Sequence, residues 1–168
     1  MTPKASATIE NVIQSTPTIY LGETLQLFFE RCVESRVPAL PCMDNSGCII
    51  GFVSLKKVMG QDCLPNYLVE LAGILHNDMH CTHQVMDKIH TLLGKNVDAY
   101  VSKPIHFVDS KTILIRAVAL MEEYDSDYLF VADDARTPEC DYKGLVTRLS
   151  VAEKMLNIEH QLMAHQST

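Results

Sequence analysis

Gly144-Leu145-Val146-Thr147-Arg148-Leu149-Ser150 reads as an apolar strand end entering a helix through a hydroxyl residue. The stretch Gly51-Phe52-Val53-Ser54-Leu55-Lys56-Lys57 carries the same glycine, two apolar residues and hydroxyl in the same order. The chain therefore contains one unit twice. A hydroxyl at the start of a helix, where N–H groups are unpaired and the dipole is positive, fits either a helix cap or an anion seat.

Working outward from the first copy, Pro17 holds its predecessor extended and introduces a short strand, Thr18 to Leu21, before a turn capped by Thr24. Leu25, Phe28, Phe29, Cys32 and Val33 recur at helical spacing and predict a helix ending near Ser35-Arg36. Val37 to Met43 reads as an edge-like extended segment, because Pro38 and Pro41 would interrupt a central ladder. Asp44-Asn45-Ser46-Gly47 is a hairpin turn, Cys48 to Val53 the returning strand, and Ser54 opens a helix to Gly60. The second copy repeats this from Val97: a helical turn, a strand at Ile105 to Val108, a stripe of Ile113, Ala117, Leu120 and Met121, and strands at Tyr128–Ala132 and Tyr142–Val146. Its hairpin tip, Asp133 to Asp141, is longer and polar.

These elements divide the chain into a loose start at 1–8, a first repeat at 9–60, a helical linker at 61–96, a second repeat at 97–156 and a C-terminal helix extension at 157–168. The linker carries two stripes, Leu68, Leu71, Ala72 and Leu75, then Val85, Ile89, Leu92 and Leu93 closed by Gly94. In the tail Val151, Met155, Ile158 and Leu162 form a seam that either faces a partner subunit or covers its own sheet.

At 168 residues, 47% of them apolar, the chain can bury a sizeable core. A formal charge of −7 without long like-charged blocks argues against nucleic-acid polymers. No apolar run is long enough for a bilayer span, which predicts a protein without membrane attachment. Six scattered cysteines without a CxxC pair, and no secretory leader at Met1, predict reduced core thiols in the cytoplasm.

The doubled order strand, helix, strand, strand, helix, with its glycine and hydroxyl before each last helix, resembles the CBS domain family, and two such units resemble a Bateman module over nearly all of Ile9 to Leu156. The resemblance implies an α+β fold of two CBS repeats packed sheet to sheet with pseudo-twofold symmetry, a homodimer, and clefts between the repeats for an adenosine-containing nucleotide. Residue by residue it implies phosphate contact by Ser54 and Thr147. The cleft walls fall on Thr16, Pro17 and Thr18 with Val37 and Pro38 in copy one, and on Ser102, Lys103, Pro104 and Ile105 with Tyr128 and Leu129 in copy two. Lys103 and Arg148 would neutralise phosphate in the second site, the better equipped of the two, and Tyr128 would lie against a purine.

The family's ribose-binding aspartate is replaced by Lys57 and Ser150. An ammonium accepts no hydrogen bond, and a hydroxyl makes a neutral bond of roughly half the strength of a charged one. Lys57 would instead meet a phosphate, or the first cleft is empty. The implied function is ligand sensing without catalysis or a required cofactor, signalled to a separate protein partner; the alternative is an interaction module that has lost its ligand. His76, His80 and His83 have metal-like helical spacing, yet they sit at a helix junction where polar residues are expected without a metal. Carboxylate pairs such as Glu122-Glu123 and Asp133-Asp134 fall at a helix end and a loop tip, where solvated charge is the simpler reading.

Overall fold

The computed structural model describes residues 7–63 and 82–166. The chain divides into two compact units, a central unit spanning Pro17–Pro104 and a terminal unit made of the N-terminal segment to Thr16 together with Ile105 onward. Repeats and compact units are thus not co-extensive. The 3₁₀ turn Glu10–Val12 heads the first repeat but belongs to the terminal unit, while the turn Val97–Tyr100, which heads the second, belongs to the central one.

In the central unit β1 (Ile19–Tyr20) lies parallel to β2 (Ala39–Met43), which pairs antiparallel with β3 (Ile49–Ser54) in the order β1-β2-β3. Asp44 builds the hairpin: its Oδ1 accepts from the Ser46 N–H at 2.9 Å, the Ser46 hydroxyl at 2.6 Å and the Cys48 N–H at 3.1 Å, while Gly47 takes the positive φ of 83° that the turn requires. Helix α1 (Leu25–Ser35) starts at Thr24, whose hydroxyl accepts from the Leu27 N–H, and stops where Arg36 turns left-handed and the Val37 N–H reaches the Cys32 carbonyl. Leu25, Phe28 and Cys32 are buried, but Val33 is 73% exposed and falls off the expected stripe. The short helix α2 (Leu55–Val58) continues into a π turn, Met59–Cys63, and α3 (Thr82–Leu93) supplies the second linker stripe. The first, at Leu68 to Leu75, lies outside the described residues.

The edge-strand expectation for Val37 to Met43 is corrected: β2 is the middle strand. Pairing with β1 begins only at Cys42, so Pro41 sits where the parallel ladder has scarcely started. Phe130, at the matching place in the other unit, donates its N–H to the His106 carbonyl; Pro41 forgoes one bond of that kind, and its antiparallel partnership with Phe52 is intact.

Arg31 ties α1 to β1. Its guanidinium donates to both Glu23 carboxylate oxygens, at 2.7 and 3.1 Å, and to the Thr18 carbonyl at 2.7 Å. Burial alone would raise the Glu23 carboxyl, but the Arg31 guanidinium and the Tyr20 N–H outweigh it and hold it below its ordinary value. The stability this contributes is complete above the unfolded carboxyl's value and is lost as pH falls through the lowered one. Arg31→Met is therefore expected to cost about 1–3 kcal/mol at neutral pH in urea unfolding. The gap to wild type should shrink below about pH 4; a gap unchanged at about pH 3 would refute the assignment.

In the terminal unit β4 (Phe107–Val108) lies parallel to β5 (Tyr128–Ala132), which pairs antiparallel with β6 (Tyr142–Thr147) in the order β4-β5-β6. Between β4 and β5 runs α4 (Leu114–Glu123), and α5 (Arg148–Gln166) follows β6. Leu114, Ala117 and Met121 of α4 join Ile9, Val108, Leu129, Val131, Val146 and Val151 in one apolar core. Ile113, expected on that face, is the half-exposed cap position, and Leu114 takes its place. Val151 and Ile158 of the tail seam pack on this core, which settles for them that the stripe covers its own sheet. The long hairpin tip is organised by Asp141, whose Oδ2 accepts the Asp133 and Asp134 N–H groups, each at 2.9 Å.

Cys32 and Cys42 are buried free thiols that burial pushes up to about 12 and about 11. Cys48 and Cys140 are disulfide-bonded, which corrects the expectation of reduced thiols throughout. No helix among the described residues is long and apolar enough to cross a membrane.

Candidate functional site

Each hydroxyl junction ends a hairpin's second strand and is flanked by a segment that precedes a first strand. In the terminal unit Gln14 and Leu145 exchange both backbone bonds, N–H to carbonyl at 2.7 and 2.9 Å. In the central unit Ser102 and Phe52 do the same at 2.7 and 3.2 Å. Both contacts run past a glycine. A Cβ on Gly144 would fall on the Gln14 carbonyl oxygen and lie 2.9 Å from Ile13 Cγ2; one on Gly51 would meet the Val101 side chain and sit 3.0 Å from the Ser102 carbonyl oxygen. The motif glycines are therefore required by close approach of a neighbouring backbone.

The hydroxyls themselves are caps. Ser54 Oγ accepts the Lys57 N–H at 3.2 Å. Thr147 Oγ1 accepts the Ser150 N–H at 3.1 Å, Ser150 Oγ accepts the Thr147 N–H at 3.0 Å and donates to the Thr147 carbonyl at 2.9 Å. This reciprocal arrangement is a capping box with serine in the distal place. Thr147 and Ser150 are 7% and 5% exposed, and the Thr147 hydroxyl also reaches Gln14 Oε1 at 3.4 Å. Of the two readings of the junction, cap and anion seat, these bonds form the cap.

The structure regroups the residues read from the sequence. Thr16 lies in the terminal unit with Thr147, its Oγ1 2.6 Å from the hydroxyl of Tyr142, whose pKa burial drives upward. Ser102, Lys103 and Pro104 lie in the central unit with Ser54, Lys57, Pro17, Thr18, Val37 and Pro38; Ile105, Tyr128 and Leu129 lie in the terminal unit. Lys103 and Thr147 are thus in different units. Leu129 belongs to the apolar core, so Tyr128, half-buried and paired directly opposite Thr147, is the wall residue left at that end of β5.

The two cations at the junctions have partners within their own units. Arg148 donates to Glu122 at 2.6 Å and to Asp127 at 2.9 Å. Lys57 Nζ donates to the Val101 carbonyl at 3.2 Å. His76 and His80 lie outside the described residues and His83 lies in the first turn of α3. No cluster of three metal-type ligands occurs among the described residues.

One feature of the terminal unit had no forecast in the sequence. A groove of about 560 Å³ runs between the 11–14 segment and α5, with Asn11, Ile13 and Gln14 on one side and Ser150, Glu153, Lys154, Asn157 and His160 on the other. Its signal was a polar stripe at positions 150, 153, 157 and 160, spaced three, four and three apart. A carboxylate and carboxamides that both accept and donate suit a hydroxylated ligand, and an ammonium with a nearby imidazole suits an anionic group. The lining therefore suits a hydroxylated, anionic small molecule. A second groove, about 650 Å³ and lined by Phe29, Met59, Ile89 and Leu93, opens beside α1 and α3 in the central unit and is mainly apolar.

No protein-family model and no curated protein matches the sequence. Solved structures do. The CBS-pair protein CBSX2 from Arabidopsis thaliana aligns over 92% of this chain and 98% of its own at 21% identity, with a TM-score of 0.64. CBSX2 in complex with AMP aligns over 91% and 99% at 22% identity and a TM-score of 0.61. The CBS domain of a CBS domain containing membrane protein from Sphaerobacter thermophilus aligns over 89% and 88% at 17% identity and a TM-score of 0.61. The fold is that of a tandem CBS pair, α+β with two three-stranded sheets.

Proposed function

On a tandem CBS fold, we propose that this chain is a regulatory module that binds an adenosine-containing nucleotide, such as AMP, ADP, ATP or S-adenosylmethionine, performs no catalysis, and passes occupancy to a separate protein partner. The observation that carries this reading is the groove beside Ser150, whose carboxylate, carboxamides and ammonium match a ribose phosphate. The AMP complex of a protein sharing this fold at 22% identity supports the nucleotide class. Regulation follows from differential affinity: a nucleotide that binds one arrangement of the module more tightly shifts the population toward it, and a partner reads the shift. A cytoplasmic homodimer belongs to the same reading, and Leu149 and Leu156, 76% and 61% exposed along α5, give such a dimer apolar surface to cover.

Thermal shift and calorimetry against the four compounds test it. A ligand at a hundred times its Kd stabilises by about 2.7 kcal/mol, which raises the Tm of a chain this size by roughly 5–11 °C. Response to one of them is the expected outcome, and silence toward all four at millimolar concentration would overturn the proposal. A specific observation favours the second reading, an interaction module without a ligand: the hydroxyls of Ser54, Thr147 and Ser150 are all engaged in capping. Under that reading a partner protein binds with no nucleotide present and the nucleotides leave its affinity unchanged.

A further inference from the structure

We propose that two copies of this chain associate through the terminal unit alone, by the outward face of α4 and α5, and that the matching face of the central unit takes no part. The inference rests on the homodimer of the preceding reading and adds to it the surface that forms it.

The repeat allows a comparison residue by residue. Leu25 and Leu114 each open the helix between the first two strands, so Gln26 of α1 corresponds to Ile115 of α4. Ser54 and Thr147 each end the third strand, so Lys56 of α2 corresponds to Leu149 of α5. The copy with polar residues at both places has the same strand order and a helix at each of the same two places, so the fold itself does not call for apolar ones. Ile115 and Leu149 are nevertheless 73% and 76% exposed. They also look the same way: Leu114, Ala117 and Met121 of α4 and Val151 of α5 lie in one core, which turns the opposite faces of both helices to solvent. Exposed Ala119, Ala152 and Leu156 extend the patch. In the central unit α3, from the same chain, packs against α1 and the π turn. The exposure of Ile115, Leu149 and Leu156 leaves α4 and α5 without such a cover.

The patch is suited to a second copy of itself. A surface that meets its own image about a twofold axis must be self-complementary and must not bring unpaired like charges together. Arg148, beside Leu149, is held by Glu122 and Asp127 of its own unit, so each of these charges has its partner inside one copy. Leu149 and Leu156 stand two helical turns apart, about 10 Å, with Ala152 between them. An antiparallel second α5 sets Leu149 of one copy against Leu156 of the other, with the small Ala152 side chains at the axis where the helices come closest. A different protein would need no such symmetry in the patch.

Analytical ultracentrifugation of the full chain at micromolar concentration and above tests this. Wild type is expected to sediment with twice the mass of one chain. Ile115→Gln combined with Leu149→Lys installs the central unit's own residues, which the fold already carries at those places, and is expected to weaken association at least about hundredfold, the worth of two apolar side chains left uncovered. Leu156→Glu should act in the same direction, and an unchanged circular dichroism spectrum in both variants assigns the loss to association rather than folding. Val33→Glu, which charges the exposed apolar residue of α1, is expected to leave the dimer intact. A monomeric wild type would overturn the inference and give the face to a different protein. A folded double variant that stays dimeric would overturn it too, as would a Val33→Glu variant that dissociates as far. A monomer that responds to one of the four adenosine compounds leaves nucleotide sensing standing, and a dimer that responds to none refutes sensing while this interface stands.

Discussion

Gly144→Ala is expected to cost about 3–5 kcal/mol, the sum of backbone strain and lost hydrogen bonds. Gly144 holds φ at 152°, a conformation L side chains rarely adopt, and an added Cβ falls on the Gln14 carbonyl oxygen with the carbonyl carbon 3.0 Å away. Backbone cannot swing aside as the end of a flexible side chain does. The 13–14 segment must therefore lift off β6 and give up both Gln14–Leu145 bonds. Gly51→Ala provides the control. Its φ is not positive and its nearest obstacle is the Val101 side chain, so the cost should be smaller and Val101→Ala should recover part of it. Urea unfolding of the three variants measures this. A Gly144→Ala variant within about 1 kcal/mol of wild type would mean that the close approach does not stabilise the unit.

The same glycine marks the boundary of what could be read beforehand. The repeat, the hairpins and the hydroxyl junctions are local patterns, and Asp44, Thr24 and Arg36 close their turns and helix ends through partners within about five residues. What stayed hidden was long-range. Gln14 meets Leu145 across more than a hundred residues, so nothing near Ile9 to Thr16 announces that this segment sits with the opposite repeat's sheet. Pro41 was misplaced because a proline argues against a central strand only when its missing N–H faces a partner, and whether β1 extends that far depends on register. The partners of Arg148 are likewise distant: Glu122 and Asp127, from an earlier helix end and turn, accept from its guanidinium. The groove needed two distant pieces, the 11–14 segment and the polar stripe of α5; only their juxtaposition makes the stripe more than a solvated helix face.

Phe130→Ala should produce a loss of similar size, about 3–5 kcal/mol, for a different reason. Phe130 is buried, and its ring meets Phe107, Tyr128 and Tyr142 at centroid distances of 6.1, 5.8 and 5.9 Å, at angles from edge-to-face to tilted. Truncation leaves a cavity in the sheet face rather than a surface dent, and Phe130→Leu, which keeps most of the volume, should cost only about 1–2 kcal/mol. The effect should also travel. The Tyr142 ring rests against Phe130, and its hydroxyl holds Thr16, two residues from the Gln14 backbone pair. Hydrogen exchange at the Gln14 and Leu145 amides should therefore speed up more in the alanine variant than in the leucine variant, and more than at the Ser102 and Phe52 amides of the central unit. Equal acceleration in both units would mean that the loss is global, with no particular link from this aromatic cluster to the segment beside the site.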